Sequence, residues 1–204
     1  MRWKEFAVRE ARLVLGEWSR NFKPLDLPVP AEDIADLMYR LAIDTTDGLP
    51  RDLAGRLYVE ERIIEVRRDD IAPRQRFTIA HEVGHYRMHV MIERLHLAGF
   101  SCSSDAVTSD DKSSDALLLP GFTAEPMAAA KQLNPLDQRR IEIEANTFAA
   151  ELLMPAALVE NAIDEYGKDV STLAAKFEVS RQAMQYRLEA LRFLPPPGPQ
   201  TSFL

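Results

Sequence analysis

The segment FTIAHEVGHYRMH, residues 77–89, constrains this chain more than any other because it contains the pattern H-E-x-x-H. On an α-helix His81 and His85 lie one turn apart on nearly the same bearing, since each residue advances by about 100°. Two imidazoles so placed can bind one metal ion, and zinc is the usual one. Glu82 follows one step round the helix, where its carboxylate can act as a general base toward a water molecule. The motif therefore predicts a helix that carries a zinc site, with Glu82 as the catalytic base.

The surroundings of this motif favour a metal site over a chance match. The chain has only four histidines, and apolar neighbours such as Phe77 and Val83 predict a buried helix, where unpaired imidazoles would cost free energy. The third histidine of the segment, His89, lies about 80° from the bearing of His81 on a regular helix. The longer H-E-x-x-H-x-x-G-x-x-H spacing is also absent. We therefore expect His89 to be structural, and the alternative is that it supports a metal ligand from outside.

A catalytic zinc needs a third protein ligand, and the best source is the segment IEIEANTFAAELLMP, residues 141–155. On a helix, Glu142 shares its face with small side chains such as Ala145 and Ala149, which would allow close packing against the motif helix. A carboxylate that points into such a contact needs a partner, and a metal supplies one. Glu142 is therefore the predicted third ligand. Asn146 lies on the same face and is expected either to support a ligand or to be structural.

A second carboxylate in this segment, Glu144, falls on a different stripe of the helix. The same stripe carries Arg140, Thr147 and Glu151. A stripe of polar and charged side chains is typical of a solvent-facing surface. We therefore expect Glu144 to be an exposed charge without a role at the metal.

The two motifs together, RQRFTIAHEVGHYRMH and E-x-E-A-N-x-F-A-A-E-L-L-M-P, resemble the ImmA/IrrE family of bacterial zinc metallopeptidases. The likeness extends over residues 28–191, approximately. In that family the two histidines and the first glutamate of the E-x-x-A-N motif bind zinc, which corresponds here to His81, His85 and Glu142. The base of the family corresponds to Glu82. The resemblance implies an enzyme with one zinc per chain that makes limited cuts in a helix-turn-helix repressor or an antitoxin-like regulator.

Composition and charge indicate the cellular compartment of the chain and the partners that it is not expected to bind. The formal net charge of −7 argues against a nonspecific grip on nucleic acid or on an anionic membrane. A single cysteine cannot form an internal disulfide, which fits a reducing compartment. The charged N-terminus is unlike a signal peptide, and no apolar run is long enough to span a membrane. We therefore expect a cytoplasmic protein.

The pattern of elements predicts an α+β fold. We expect a mostly helical zincin-like domain with a small antiparallel sheet, followed by a helix-turn-helix-like C-terminal region. The expected divisions are an N-terminal amphipathic helix over 1–23, a metallopeptidase-like domain over 24–155 with a mobile insertion at about 97–116, a C-terminal region over 156–194 and a proline-rich tail over 195–204.

Within these divisions, spacing and turn signals predict the individual elements. Residues 3–22 and 31–41 have apolar side chains at helical spacing, residues 44–50 are a turn-rich link, and residues 56–66 are a β-hairpin. The expected apolar stripe of the first helix comprises Trp3, Phe6, Ala7, Leu13 and Val14. The apolar stripe of the second helix is expected to comprise Ile34, Leu37, Met38 and Leu41.

The polar, low-complexity run over residues 101–115 predicts a mobile loop, or a lid over the site. It contains Cys102, which we expect to be an idle thiol; the alternative is a thiolate that blocks the zinc. Residues 127–133 predict a short helix. Asn134 and Pro135 then predict the start of the helix that carries the third ligand, as cap and first-turn residues.

Residues 171–193 have the spacing of a helix-turn-helix, with Ser180 as the cap of the second helix. That helix offers side chains that could contact DNA or a partner, namely Arg181, Gln182, Gln185 and Arg187. Against DNA reading, Glu178 stands where the turn often has glycine. We therefore favour a structural cap or a docking surface over a DNA reader.

Two functions of other classes remain open beside the peptidase. One is a zinc-containing regulatory binding protein with little proteolysis. The other is a DNA-binding regulator that uses the C-terminal helices. The presence of Glu82 favours the enzyme, because a purely structural zinc needs no base.

Overall fold

The computed structural model describes residues 3–94, 99–103 and 135–195 of the chain, and these form a mostly helical α+β structure. Its helices are α1 Trp3–Asn21, α2 Ala31–Asp33, α3 Ala72–His85, α4 Pro135–Leu153, α5 Ala156–Tyr166, α6 Val170–Phe177 and α7 Arg181–Ala190. Two π-helical segments extend α2 and α3, over Ile34–Met38 and Tyr86–Ile92. Its strands are β1 Ala42–Thr46, β2 Leu53–Tyr58, β3 Ile63–Arg67 and β4 Gly99–Ser103.

The four strands form one sheet in the order β1-β3-β2-β4. The predicted hairpin is confirmed as the antiparallel pair β2 and β3, and β4 lies antiparallel on the other side of β2. The expectation of a purely antiparallel sheet is wrong, because β1 pairs with β3 in parallel. Two reversals of the chain separate β1 from β3, so the two strands run in the same direction when they become neighbours.

Two of these strands were not expected from the sequence. Strand β1 covers residues 42–43, which follow the predicted helix, and residues 44–46, which begin the predicted turn-rich link, although its sequence AIDTT is rich in β-branched side chains. Strand β4 includes residues 101–103, which were assigned to a mobile loop. These residues pair with β2 through the backbone, and such pairing does not require apolar side chains.

Helix α1 is confirmed, but its buried face differs from the predicted stripe. The buried side chains are Ala7, Glu10, Ala11, Val14, Leu15 and Trp18. Trp3 and Leu13 are exposed instead, at 46% and 44%. The face that packs against α4 contains small residues such as Ala7 and Ala11, which permit close approach of two helices, and Trp3 and Leu13 lie outside this contact.

The helix predicted over residues 31–41 is present in part. Only Ala31–Asp33 is α-helical, and the following five residues form a π-helical turn. Ile34 and Leu41 are fully buried as expected, whereas Leu37 is 53% exposed. A π-helix bonds residue i to i+5 and takes more residues per turn than an α-helix, so the predicted stripe does not persist through it.

Helix α3 lies between the sheet and α4, and both contacts are tight. A Cβ atom at Gly84 would come within 2.9 Å of Cδ1 of Phe148 on α4. On the other side, a Cβ atom at Gly55 of β2 would overlap Cγ2 of Thr78 on α3. Both glycines thus permit an approach that a side chain would prevent. This packing fixes α3 in position relative to α4.

The C-terminal helices begin and end at turn and cap residues. Helix α5 follows Pro155 and ends at Gly167, which has a φ of 78°. Ser180 accepts a hydrogen bond from the backbone N–H of Ala183 and caps α7 as predicted. Glu178 adopts a left-handed φ of 52° in the turn where glycine was considered more usual. The two helices and the turn between them are therefore confirmed as elements.

Several sequence predictions lie outside the described residues. They concern the loop beyond residue 103, the short helix over 127–133, the capping Asn134 and the tail from residue 196. Within the described ranges, no helix is long and apolar enough to cross a membrane.

Candidate metal centre

Two histidines of α3 and one glutamate of α4 converge where these helices cross. The Nε2 atoms of His81 and His85 lie 2.9 Å apart. Glu142 places Oε2 3.3 Å from Nε2 of His81 and Oε1 3.3 Å from Nε2 of His85. Both imidazoles are fully buried, and the glutamate side chain is 19% exposed. The structure therefore brings together the three side chains that the sequence predicts as ligands.

The outward-facing nitrogen of each imidazole contacts a further buried side chain. Nδ1 of His81 lies 3.0 Å from Oδ1 of Asn146 on α4. Nδ1 of His85 lies 3.0 Å from Nδ1 of His89. His89 belongs to the π-helical segment Tyr86–Ile92 that follows α3, which is the one meant by the π-helical segment from here on. Phe100 of β4 stacks on the ring of His85, with 4.3 Å between ring centroids and 16° between planes. Both imidazoles are thus held on their far side, which leaves each Nε2 directed at Glu142.

Glu82 is fully buried beside this cluster. Neither of its carboxylate oxygens has a hydrogen-bond partner among the described residues. Burial raises the pKa of Glu82 to about 8; Glu142 adds to the rise and His81 opposes it. A buried carboxylate without a partner is costly unless a cation or a polar ligand lies nearby. Glu82 therefore points to a missing polar or cationic neighbour at this site.

The donor set fits a divalent metal ion. Burial lowers the pKa of His85 to about 3, so this imidazole is neutral and can act as a ligand near neutral pH. Burial alone would raise the pKa of Glu142, but its interactions with His85 and His81 lower it to about 2. One ligand atom from each of the three side chains lies within 4.8 Å of the others. Two imidazoles and one carboxylate are the ligands of many catalytic zinc sites.

The family to which this chain belongs follows from a comparison with protein-family models. The model of a peptidase family, described as the IrrE N-terminal-like domain, matches residues 39–112 and 121–189. The chain belongs to this family. The match covers the H-E-x-x-H segment and Glu142, and it confirms the resemblance seen in the sequence.

The fold of this IrrE-like chain is similar to that of a Mycobacterium tuberculosis transcriptional regulator, with a TM-score of 0.58 and 14% sequence identity. The similarity covers 89% of this chain and 46% of that one, so this chain spans less than half the length of the regulator. At this identity the likeness concerns the fold alone. No curated protein sequence matches the chain.

The prediction that Glu144 is solvent-exposed is wrong. Its side chain is 1% exposed, and Oε2 lies 2.9 Å from Nε2 of His89. Arg140 contacts the same carboxylate at 3.2 Å. Glu151, assigned to the same solvent stripe, is also buried and pairs with Arg12 and Arg187. Much of the predicted solvent face is covered, because α1 and the π-helical segment of the IrrE-like chain contact Glu151 and Glu144 of α4.

Helical bearings measured from His81 do not indicate a contact for His89, because His89 contacts His85 instead. His85 and His89 are four residues apart, a spacing at which helical side chains are neighbours. This spacing could have predicted their contact. Glu144, the partner of His89, lies on α4, 55 residues further along the chain, so no local spacing indicates this contact.

The candidate contacts on α7 of the IrrE-like chain separate into two groups. Arg181, Gln182 and Gln185 are exposed and could reach a partner. Arg187 is 8% exposed, pairs with Glu151, and donates from Nε to the carbonyl of Met154 at 2.8 Å. The prediction that Arg187 contacts DNA or a partner is therefore wrong, because its guanidinium holds α7 against α4.

Cys102 lies in β4, with its backbone opposite Gly55. Whether its thiol approaches the metal stays a prediction. Tyr86 is buried and packs edge-to-face on Tyr39 at 5.9 Å between ring centroids.

Proposed function

We propose that this chain is a zinc-dependent metallopeptidase that makes limited cuts in a specific protein. Membership of a peptidase family supports this, and so does the cluster of His81, His85 and Glu142. The observation that carries the proposal is Glu82, a fully buried carboxylate beside the cluster with no hydrogen-bond partner among the described residues. A structural metal site has no use for such a group, whereas a hydrolytic site needs a base.

In this proposal each side chain has a distinct role. His81, His85 and Glu142 would hold one zinc ion per chain. When bound, zinc supplies Lewis-acid polarisation of a peptide carbonyl and lowers the pKa of water. Glu82 accepts the proton of the attacking water and passes it to the leaving amine. Asn146 and His89 orient the two imidazoles from behind.

The edge of the sheet offers a place for the substrate backbone. Strand β4 is at one end of the strand order, and its residue Phe100 stacks on His85. An extended peptide could add to such an edge through main-chain hydrogen bonds and lie along the metal helix. We propose that the scissile segment approaches in this way.

The substrate we propose is a helix-turn-helix repressor or an antitoxin-like regulator in the cytoplasm. The resemblance to the ImmA/IrrE family motivates this choice, and cleavage of such a protein would switch transcription. The single cysteine fits a cytoplasmic setting. The similar fold of a protein named as a transcriptional regulator is compatible with a role in regulation.

A second candidate function uses the C-terminal helices to bind DNA. It is favoured by the exposed side chains Arg181, Gln182 and Gln185 on α7. It is disfavoured by the burial of Arg187 and by the net charge of −7. We expect only weak, salt-sensitive binding to DNA at physiological salt, measured by gel shift. A specific nanomolar complex that is lost in Gln185→Ala would support the DNA reader instead.

The Glu82→Gln variant tests the peptidase. It keeps the size of the side chain and removes the proton acceptor, so the fold and the zinc content should be retained. Cleavage of the partner should fall by at least about a hundredfold, since a general base typically contributes 10²- to 10⁴-fold. The comparison is made in cells that express the chain with a candidate repressor, with repressor length followed by immunoblot and its promoter by a reporter.

His81→Ala is the companion variant, and it should lose both zinc and cleavage, which controls for a contaminating protease. The remaining alternative, a zinc-containing binding protein, makes the opposite prediction for Glu82→Gln. If that variant releases the promoter as fully as the unmodified chain while the repressor stays uncut, the metal site serves docking and not proteolysis.

A further inference from the structure

A chain of buried polar contacts leads from His85 away from the metal centre. Nδ1 of His85 lies 3.0 Å from Nδ1 of His89, and Nε2 of His89 lies 2.9 Å from Oε2 of Glu144. All three side chains are 1% exposed or less. Arg140 contacts Glu144 at 3.2 Å and is itself held by Glu93 through contacts of 2.7 and 3.0 Å. We call the first three residues, His85, His89 and Glu144, the relay.

The direction of the hydrogen bonds in the relay follows from its far end. An ionised carboxylate only accepts hydrogen bonds, and Glu144 accepts one from Arg140 as well as one from His89. The proton of a neutral His89 must therefore be on Nε2, which leaves Nδ1 as an acceptor. That acceptor faces Nδ1 of His85, which must then carry the proton of that ring. The only lone pair left on His85 is on Nε2, the atom that faces Glu142 and His81.

The opposite arrangement would disable the ligand. If His89 donated from Nδ1, then His85 would have to accept at Nδ1 and carry its own proton on Nε2. A protonated nitrogen cannot bind a metal. Because a neutral imidazole has one donor and one acceptor, the tautomer of His85 is decided by the group behind it.

We infer that His89 and Glu144 are positioning residues that keep the proton of His85 on Nδ1 and so direct its Nε2 lone pair to the metal. This inference rests on the metal site of the proposed function. It differs from the support of His81, whose Nδ1 meets the neutral amide oxygen of Asn146. One ligand is oriented by an amide and the other by a histidine backed by a carboxylate.

Two substitutions of His89 separate positioning from simple packing. His89→Phe keeps a buried ring and removes the acceptor for Nδ1–H of His85. His89→Gln supplies a carbonyl that can accept from His85 and an N–H that can donate to Glu144. Met88→Leu is the control, since Met88 is fully buried in the same π-helical segment and this exchange nearly conserves volume.

Zinc affinity is measured by competition with a chromophoric chelator, and the ligand field is measured from the visible spectrum of the Co²⁺-loaded protein. We expect His89→Phe to lose roughly 10- to 100-fold in zinc affinity, the usual effect of removing a group that supports a ligand. Its Co²⁺ spectrum should also change. His89→Gln and Met88→Leu should remain close to the unmodified protein in both measurements. An unchanged affinity and spectrum in His89→Phe would overturn the inference.

A measurement on the unmodified protein covers the case in which His89→Phe does not fold. Long-range ¹H–¹⁵N spectra of the zinc-loaded protein should show His89 protonated on Nε2 and bare on Nδ1. The reverse tautomer would overturn the inference, because His89 could then not accept from His85.

Failure of the relay and failure of the proposed function give different results. Unmodified protein that binds zinc but cuts no partner contradicts the peptidase and leaves the relay intact. Unmodified protein that binds neither zinc nor Co²⁺ overturns both.

Discussion

Two glutamates of α4 that lie close in sequence have different surroundings because they point to opposite sides of the helix. Glu142 faces α3 and meets the Nε2 atoms of His81 and His85. Glu144 is turned by about 200° and meets His89 and Arg140. One carboxylate therefore belongs to the proposed ligand set, and the other supports it from outside.

Glu142→Ala should weaken zinc binding by more than the roughly 10- to 100-fold typical of losing a supporting group, because a ligand itself is removed. Zinc content after dialysis and affinity by chelator competition measure the effect. Glu160→Ala on α5 is a matched control, since Glu160 is exposed and remote from the cluster in sequence. Equal zinc retention in both variants would contradict the assignment of Glu142.

Glu144→Ala should lower the free energy of unfolding by about 1–3 kcal/mol, the usual cost of leaving a buried hydrogen-bonding group without its partner. The group affected is the Nε2–H of His89, since Arg140 retains Glu93. Urea denaturation of the zinc-loaded proteins gives the measurement. A change below about 0.5 kcal/mol, as expected for a surface site, would show that Glu144 contributes no such contact.

At the scale of elements, the metal centre depends on how closely α3 approaches its two neighbours. Gly84 directly precedes the proposed ligand His85. Because it has no side chain, Phe148 of α4 packs closely against the backbone of α3 at this point. Gly55 allows β2 to approach Thr78 on the opposite side. A helix confined on both sides cannot shift without moving its ligands. The two glycines therefore help to define the distance between the histidines and Glu142.

Gly84→Ala should destabilise the protein by about 1–3 kcal/mol, the usual cost of overpacking a core, because the new Cβ would approach Cδ1 of Phe148 to 2.9 Å. It should also weaken zinc binding, since α3 and α4 must separate. Gly16→Ala on α1 is the control. Among the described residues its Cβ would meet Nη1 of Arg20 at 3.5 Å and no closer atom, and removing a helical glycine usually stabilises by roughly 0.5–1 kcal/mol. Thermal unfolding of both variants, with zinc titration, gives the comparison. A Gly84→Ala protein as stable as Gly16→Ala would contradict the close packing of α3 against Phe148 of α4.

Across the whole molecule, buried charges connect the C-terminal helices to the rest. Glu151 of α4 is 2% exposed and pairs with Arg12 of α1 and Arg187 of α7. Arg76 of α3 pairs with Glu32 and lies 3.7 Å from Glu178 in the turn between α6 and α7. The pair α6 and α7 is therefore attached to α3 and α4, the helices that carry the proposed metal ligands.

Arg187→Ala should destabilise the protein by roughly 3 kcal/mol, the lower end for breaking a buried ion pair, because Arg12 still contacts Glu151. Arg181→Ala, on the exposed side of α7, should change stability by less than about 0.5 kcal/mol. Chemical denaturation measures both. Equal effects would contradict the division of the α7 side chains into a buried and an exposed group.

The sequence alone determined the features that depend on local spacing. The H-E-x-x-H segment requires a helix that presents two imidazoles together, and the small face of α4 indicated Glu142 as the carboxylate that meets them. The cap at Ser180 and the hairpin of β2 and β3 were predicted for the same reason. Each of these features is decided by contacts between residues near each other in the chain, or by the chemistry of one motif.

Only the tertiary structure decided what covers the second face of each element. Helical periodicity shows that Glu144 and Glu142 point apart, but it cannot show that the π-helical segment lies over Glu144. The burial of Arg187 likewise depends on its partner Glu151, which lies on another helix. The parallel pairing of β1 with β3 depends on the path that the chain takes between these strands. A polar stripe indicates solvent only where no neighbour offers compensating charges. In this protein Arg12 of α1 and Arg187 of α7 provide such charges to Glu151. His89 of the π-helical segment provides a hydrogen-bond partner to Glu144, so both glutamates of the predicted surface lie in the interior.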